Sequence, residues 1–356
     1  MTTMKEISAL AGVSVSTVSL VLNNRDSGRV NTQTAEHIRA LAHQLGYKPN
    51  QMARSLRTSR THILGFLSDE VATTPYAGAM ISGAQDAASQ YGYVIMTVST
   101  DNEAQERHEI AALERYGVDG FFLAKMSNRH SRVPENLSEY PVVLVNSTYD
   151  YSSAKKTSIA GVPRYTGIAP DEKRIGYDAT KRLIDAGCTR IAYIGCHEPM
   201  IAETLRFEGY QDALKDARIE YDSNLCIQVG NNTPALQAVH SLIDKHHPDG
   251  FFCFNDARAW YVYDCAARLG QEIGRDIHIV GVDNHRVLAE TLSPQLTTIE
   301  LPHYEMGYWA ACKLISMIEE KDTQDFEIPD TTAPLPSLDN DGDVFIQCAL
   351  IEKESV

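Results

Sequence analysis

Apolar residues at helical spacing open the chain. Met4, Ile7, Leu10 and Ala11 share a face, Gly12-Val13 interrupts the run, and Val15, Val18 and Leu22 resume it. The break is short, and Ser14 behind it is a good N-cap. The pattern therefore predicts two helices joined by a tight turn, with Val15, Ser16 and Thr17 on the first turn of the second. A third helix follows: Thr32 or Thr34 can cap it, Ile38, Leu41 and Leu45 line one face, and Gly46 ends it. Tyr47-Lys48-Pro49 stops that helix, because the residue before proline is pushed out of the helical region. Asn50 can then cap a short helix from Gln51 to Arg57, which is marginal alone, since isolated helices need roughly 12–15 residues.

From residue 61 the pattern changes to alternating strands and helices. Apolar runs at Ile63–Leu67, Tyr93–Val98, Gly120–Ala124 and 141–146 alternate with helical stretches at Tyr76–Gln90 and Ala104–Tyr116, until a polar stretch from Thr148 to Pro170. A second series then runs from a helix at Gly176–Ala186 to a strand at Ile277–Val282. Such alternation means parallel sheets with helices on both faces, here in two lobes. The expected fold class is α/β: a three-helix helix-turn-helix head with a hinge helix, then a two-lobed, doubly wound body. The boundaries are 1–46 for the head, 47–60 for the hinge and 61–356 for the body. Lobe one is placed at about 61–165 and 296–326, and lobe two at about 170–292 and 327–356. Leu296–Glu300 and Met306–Glu319 are thus expected in the first lobe and Val344–Ile351 in the second.

Charge divides the chain at the same place. Residues 1–60 hold eight Lys/Arg against three acids, a net of +5, while the whole chain carries −15, leaving −20 on the rest. A basic helical head on an acidic body is the electrostatic footprint of a DNA reader whose contact is confined to one end. No apolar stretch approaches the roughly 20 residues of a membrane span, and the N-terminus lacks the basic-then-apolar pattern of a signal peptide, so a cytoplasmic protein is expected. Seven scattered cysteines without a CxxC pair suit reduced thiols better than disulfides or zinc. There is no GxxxxGK[ST] loop, GxSxG elbow or HExxH, so no catalytic residue, cofactor or metal site is expected. A transport-linked solute receptor would need export and would have no use for the basic head. A regulator whose body binds a protein partner stays open as an alternative.

The segments MKEISALAGVSVSTVSLVLN and RVNTQTAEHIRALAHQLGYKPNQMARSLRT resemble the head of the LacI/GalR transcription regulators. That resemblance implies a periplasmic-binding-protein-like body and a homodimer reading a near-palindromic double-stranded operator. It implies DNA-facing roles for Thr3, Ser14, Val15, Ser16, Thr17, Ser19, Leu20, Asn23, Arg29, Asn50, Ala53 and Leu56. Leu56 would be a minor-groove wedge between base steps. Leu20 stands where many members carry Arg; an Arg can fork onto guanine, whereas Leu reaches only a thymine methyl or a sugar. The hinge helices would pair on DNA and melt when an effector changes the arrangement of the lobes. The chain after Pro329 has no leucine heptad for a tetramerising coiled coil.

Ligands of doubly wound sheets sit at the carboxyl ends of the strands, which selects the loop 69–77, Asn146, Asn255-Asp256, Asp283-Asn284 and Leu301. Polar side chains at five strand ends suit a polyhydroxylated ligand. The resemblance adds Arg206 in RFEGYQDAL and gives Asn255, Asp283, Asn146, Thr73, Thr74 and Tyr76 effector-facing positions for a small sugar-like molecule. It also implies an aromatic near Asn232, which this chain lacks; Tyr76 or Trp260 could replace it. Alternatives stand beside these roles. Arg206 could form a structural ion pair, Asp283 could hold an interlobe hydrogen bond, and Asn255 or, more readily, Asp256 could cap the next helix.

Overall fold

The computed structural model describes residues 2–23, 25–47, 60–74, 77–100, 102–150, 165–230, 232–340 and 342–356. It divides into two compact units at Thr61. The expected hinge residues Asn50, Ala53 and Leu56, and Tyr76 in the body, lie outside the described residues.

The first unit is built on three helices, α1 (Met4–Ala11), α2 (Val15–Leu22) and α3 (Thr32–Gln44). Thr3 and Glu6 form a reciprocal capping box: the Thr3 amide donates to Glu6 Oε2 at 2.8 Å, and the Glu6 amide donates to Thr3 Oγ1. Gly12 ends α1 in the left-handed region at φ 66°, which lets the chain turn through 108° into α2. Ile7, Val18, Val21, Ala35 and Ile38 make the mini-core. Two expectations are corrected here. Leu10 is 60% exposed, because an eight-residue helix buries only its Ile7 face against two short neighbours. Asn31, rather than Thr32 or Thr34, caps α3, its Oδ1 accepting from the Gln33 amide at 2.9 Å.

The second unit holds two six-stranded sheets. In the first, β1 (Ile63–Ser68), β2 (Val94–Ser99), β3 (Gly120–Ser131), β4 (Val142–Tyr149), β5 (Thr166–Pro170) and β11 (Val344–Ile346) lie in the order β11-β5-β4-β3-β1-β2, all parallel. In the second, β6 (Ile191–Cys196), β7 (Cys226–Val229), β8 (Gly250–Cys253), β9 (His278–Asp283), β10 (Thr297–Glu300) and β12 (Ala349–Ile351) lie in the order β12-β10-β9-β8-β6-β7. There the neighbouring strands are parallel except for the antiparallel edge pair β10/β12. Both sheets are the same doubly wound form, with strand order reversing between β1 and β3 and between β6 and β8.

The helices that matter for the site are α4 (Ala79–Gln90), α5 (Glu103–Arg115), α6 (Glu172–Asp185), α7 (Ile201–Asp216), α8 (Thr233–His246), α9 (Asp256–Leu269), the single turn α10 (Arg286–Ala289) and α11 (His303–Glu319). Each lobe has one helix pair held at backbone contact by reciprocal glycines. A Cβ on Gly83 of α4 would collide with the Tyr304 carbonyl of α11, and one on Gly307 with that of Met80. In lobe two the same holds for Gly176 of α6 against the Arg206 carbonyl, and for Gly209 of α7 against that of Lys173.

The strand ladder redistributes the chain between the lobes. Thr297–Glu300, expected in lobe one, pairs with β9 in the second sheet, and Val344–Ile346, expected in lobe two, closes the edge of the first. The polar stretch 148–170, whose pattern predicts no strand, supplies β5; its TGIAP sequence carries a Gly and a Pro that hide its extended form. The chain therefore crosses between lobes three times, at Asp171, at Leu301-Pro302 and at Gln347-Cys348. The Asp171 amide donates to the Ile346 carbonyl at 3.0 Å, tying the first crossing to the third. Among the described residues no single helix is long and apolar enough to cross a membrane.

Candidate functional site

Two sites emerge, one in each unit. In the head, the Ser14 hydroxyl accepts from the Thr17 amide at 3.1 Å and lies 2.6 Å from Ser16 Oγ and 2.8 Å from Thr17 Oγ1. That cap fixes the first turn of α2 while Ser14, Val15 and Ser16 stay exposed, Val15 by 44%. A helix start presenting hydroxyls, free amides and an apolar side chain can read base edges and thymine methyls and accept phosphate. Asn23 Nδ2 donates to the Ser19 carbonyl at 2.6 Å, closing the far end of the helix, and Leu20 is half-buried. Thr3 and Arg29 are exposed. The side chain of Arg39 is held by Asp26 through two hydrogen bonds of 2.8 and 2.9 Å.

In the body, a cavity of about 370 Å³ opens between the lobes at the carboxyl ends of both sheets. Glu70, Met126, Ser127, Asn128 and Asn146 line it from lobe one. Lobe two contributes Glu172, Cys196, Glu198, Met200, Ala202, Arg206, Phe254, Asn255, Arg258 and Asp283, and the second crossing adds Leu301 and His303. Four expected residues, Asn146, Arg206, Asn255 and Asp283, thus meet at one opening. Thr73 and Thr74 do not line it; their hydroxyls donate to the Glu70 carbonyl at 2.9 and 3.0 Å and so shape the turn that presents Glu70. Glu70, Asn146 and Asp283 all have positive φ, at 52°, 52° and 109°. Such backbone strain at strand ends clusters at ligand sites.

Arg206 is 3% exposed and doubly committed: Nε donates to Glu172 Oε2 at 2.7 Å and Nη1 to the Phe254 carbonyl at 2.6 Å. Its guanidinium lies 4.5 Å from the Phe254 ring centroid. Nη2 makes no hydrogen bond among the described residues. The ion pair, one of the two alternatives in the sequence, is present, and the same residue lines the cavity. Glu172, at the start of α6, also accepts from Asn128 Nδ2 of lobe one at 3.4 Å, so a buried chain of polar contacts runs from one lobe to the other. Asn146 commits its Nδ2 to the Lys125 and Met126 carbonyls, both at 3.0 Å.

Asn255 caps α9, its Oδ1 accepting from the Arg258 amide and from Arg258 Nη1, each at 3.1 Å. Asp256, expected as the readier cap, is instead buried, accepting from Thr298 Oγ1 at 2.6 Å and from the His285 amide at 2.7 Å. It therefore ties α9 to the ends of β9 and β10. Burial pushes its carboxyl up to about 7. Asp283 makes no side-chain hydrogen bond or ion pair among the described residues. Burial first, and then the Asp256 carboxylate, raise it well above the ordinary carboxylate range. Burial, with Arg206 adding, lowers His303 to about 4, so its ring is neutral.

The remaining wall was missed in the sequence. Phe254 is an aromatic residue of the cavity lining, its ring lying beneath both Arg206 and Arg258. Trp260 is 53% exposed on α9 away from the cavity, and Asn232 caps α8. Arg258 is spent on the protein: Nε donates to the Gly195 carbonyl at 3.1 Å and Nη2 to Cys196 Sγ and the Val229 carbonyl at 3.1 and 3.0 Å. Cys196 in turn donates to Glu198 Oε2 at 2.7 Å, which holds Glu198 below its usual range, while burial pushes the thiol up to about 11. The seven cysteines are free thiols. Among the described residues no group of three or more His, Cys, Asp or Glu could hold a metal.

A helix-turn-helix head and a two-lobed body with a cavity at its strand ends define a ligand-responsive DNA-binding regulator. Family comparison agrees over nearly the whole chain. Residues 3–50 match the model for bacterial regulatory proteins of the lacI family, and residues 61–337 match that for periplasmic binding proteins and the sugar binding domain of the LacI family. The chain belongs to the LacI family and is a DNA-binding transcriptional regulator rather than an enzyme. The HTH-type transcriptional repressor PurR of Vibrio atlanticus is 31% identical, covering 90% of this chain and 93% of its own. The ribose operon repressor of Halalkalibacterium halodurans is 29% identical, covering 92% and 95%. In fold, the chain matches the transcriptional regulator CelR in its cellobiose complex with a TM-score of 0.62 at 24% identity over all of both chains. It also matches the Lac repressor dimer bound to operator and the anti-inducer ONPF, with a TM-score of 0.69 at 17% identity over 99% and 98%.

Proposed function

We propose that this regulator is a cytoplasmic repressor of carbohydrate-utilisation genes, binding a near-palindromic operator as a homodimer and responding to a small sugar-like effector in the interlobe cavity. The observation that carries the reading is the convergence of Arg206 Nη2, the Asp283 carboxylate and Asn146 on one polar cavity of small-molecule size, floored by the Phe254 ring. Donor, acceptor and aromatic face together suit a ring bearing hydroxyls. The exposed first turn of α2, with Val15, Ser16 and Thr17, enters the major groove, and Thr3, Ser14, Ser19, Leu20, Asn23 and Arg29 read or position beside it. Asn50, Ala53 and Leu56 act in the hinge.

Effector bound across the cavity favours one arrangement of the lobes, and operator affinity follows through its differential affinity for the two arrangements. The test is thermal unfolding of the full chain across mono- and oligosaccharides, followed by operator binding by fluorescence anisotropy with the sugar that shifts it. Ligand at a hundred times its dissociation constant adds about 2.7 kcal/mol to the native state. The reading requires that shift to shrink in Asp283→Asn and Arg206→Lys and the same sugar to change operator affinity. A stabilising sugar that leaves operator affinity unchanged would remove the switch.

A further inference from the structure

The charges around the interlobe cavity do not balance, and their arrangement selects among ligands. The cavity wall holds four carboxyl groups, Glu70, Glu172, Glu198 and Asp283, the last held toward its neutral form by burial, against two guanidinium groups, Arg206 and Arg258. His303 adds no charge at neutral pH. The two cations are already answered: Arg206 pairs with Glu172 at 2.7 Å, and Arg258 lies 3.6 Å from Glu198 with its donors spent on Gly195, Asn255, Cys196 and Val229. Glu70 and Asp283 are left over. Neither makes a side-chain hydrogen bond or ion pair among the described residues, and they face the same cavity from opposite lobes.

We propose that the effector is a polyhydroxylated molecule carrying a protonated amine, an amino sugar, whose ammonium bridges Glu70 of lobe one and Asp283 of lobe two. This rests on the reading of the cavity as the effector site and deepens it. An ammonium in the cavity would pair with the Glu70 carboxylate and favour the ionised form of Asp283, satisfying two carboxyls that the protein leaves without hydrogen bonds among the described residues. A hydroxyl has one proton, so it donates to only one of the two and leaves the charge in place; a phosphate ester or a free carboxylate adds to it. The upward push on Asp283 from burial and from Asp256 points the same way, because a cation restores the ionised form that burial disfavours. The −20 carried by residues 61–356 disfavours an anionic ligand further.

The experiment measures dissociation constants of the full chain by isothermal titration for matched hexose sets: D-glucose, D-glucosamine, N-acetyl-D-glucosamine and D-glucosamine 6-phosphate, with the corresponding galactose set and β-1,4-linked disaccharides. The amine-bearing member of a set is expected to bind at least tenfold more tightly than its neutral counterparts, and the phosphate ester more weakly than the free amine. Glu70→Gln, at an exposed residue whose loss does not threaten the fold, is expected to narrow the gap between amine and neutral member several-fold. Neutral sugars binding as tightly as their amines, or an anionic ester binding best, would overturn the amine while leaving the cavity reading intact. If no member of any set binds, the amine and the sugar reading fall together. An amine preference unchanged in Glu70→Gln would overturn the bridge.

Discussion

Gly176 of α6 lies so close to Arg206 of α7 that a single methyl group on the glycine would overlap the arginine carbonyl. The pairing places the start of α6, and Glu172 with it, within reach of the Arg206 guanidinium. Backbone contact thus positions the cavity's cationic donor. Gly176→Ala should force the helices apart, costing about 1–3 kcal/mol as an overpacked contact and weakening effector binding through the displaced Arg206–Glu172 pair. A urea midpoint and an effector titration on the same variant check both parts; an unchanged midpoint would show that the contact gives way freely.

Breaking that ion pair from the other side should be more costly. Arg206 and Glu172 are both nearly inaccessible, so Glu172→Gln leaves a buried guanidinium without its counter-charge, at a cost of about 3–5 kcal/mol. The double variant Glu172→Gln/Arg206→Met should recover much of this, because apolar replacement of a buried pair is often neutral. Denaturant unfolding of both variants tests the order; a double variant no more stable than the single would place the loss elsewhere than in the orphaned charge.

His303 gives a pH signature. Its ring is held neutral in the folded protein, with its titration lowered from 6.5 to about 4 by burial and by Arg206. The unfolded chain binds the proton first, so the contribution of this residue is full above pH 6.5 and is lost as pH falls toward 4, by up to about 3 kcal/mol. His303→Gln should remove that part: between pH 7 and 4.5 its melting temperature should fall less steeply than that of the parent. Parallel pH profiles would show that His303 accepts its proton without penalty.

In the head, Ser14→Ala removes the hydroxyl that receives the Thr17 amide. The loss should be about 1 kcal/mol in the unfolding of the head, with the transition of the body unmoved. Ser14→Asp, another strong N-cap, should restore it while placing a negative charge where phosphate approaches. Operator affinity would then separate the two roles: Ser14→Asp should be stable but weak on DNA. Tight operator binding by Ser14→Asp would put this turn away from the phosphates.

The sequence carried the local features well. Ser14 announces its helix by residue type and position, and Asn146, Asn255 and Asp283 fall at the ends of apolar runs where a doubly wound sheet places its ligand. What escaped is non-local. Glu172 is one of two adjacent acids in DEKRIG, and only the fold buries it against Arg206 and Asn128. Phe254 reads as the last core residue of a strand, yet its ring lies beneath two guanidinium groups. Thr297–Glu300 has an unambiguous strand pattern, but which sheet it joins depends on hydrogen bonds to a partner strand, β9, that no spacing along the chain encodes.

The three crossings also bear on the order in which the chain can be completed during synthesis. When the ribosome has delivered β5, the first lobe still lacks α11, which covers one face of its sheet, and β11, which closes its edge. Both arrive only after nearly all of the second lobe has been made. The first lobe must therefore wait, with part of its apolar face uncovered, while its neighbour is assembled, so neither lobe can mature as a separate translation product. A chain truncated after Pro170 should present a chaperone substrate, and the released full chain should not.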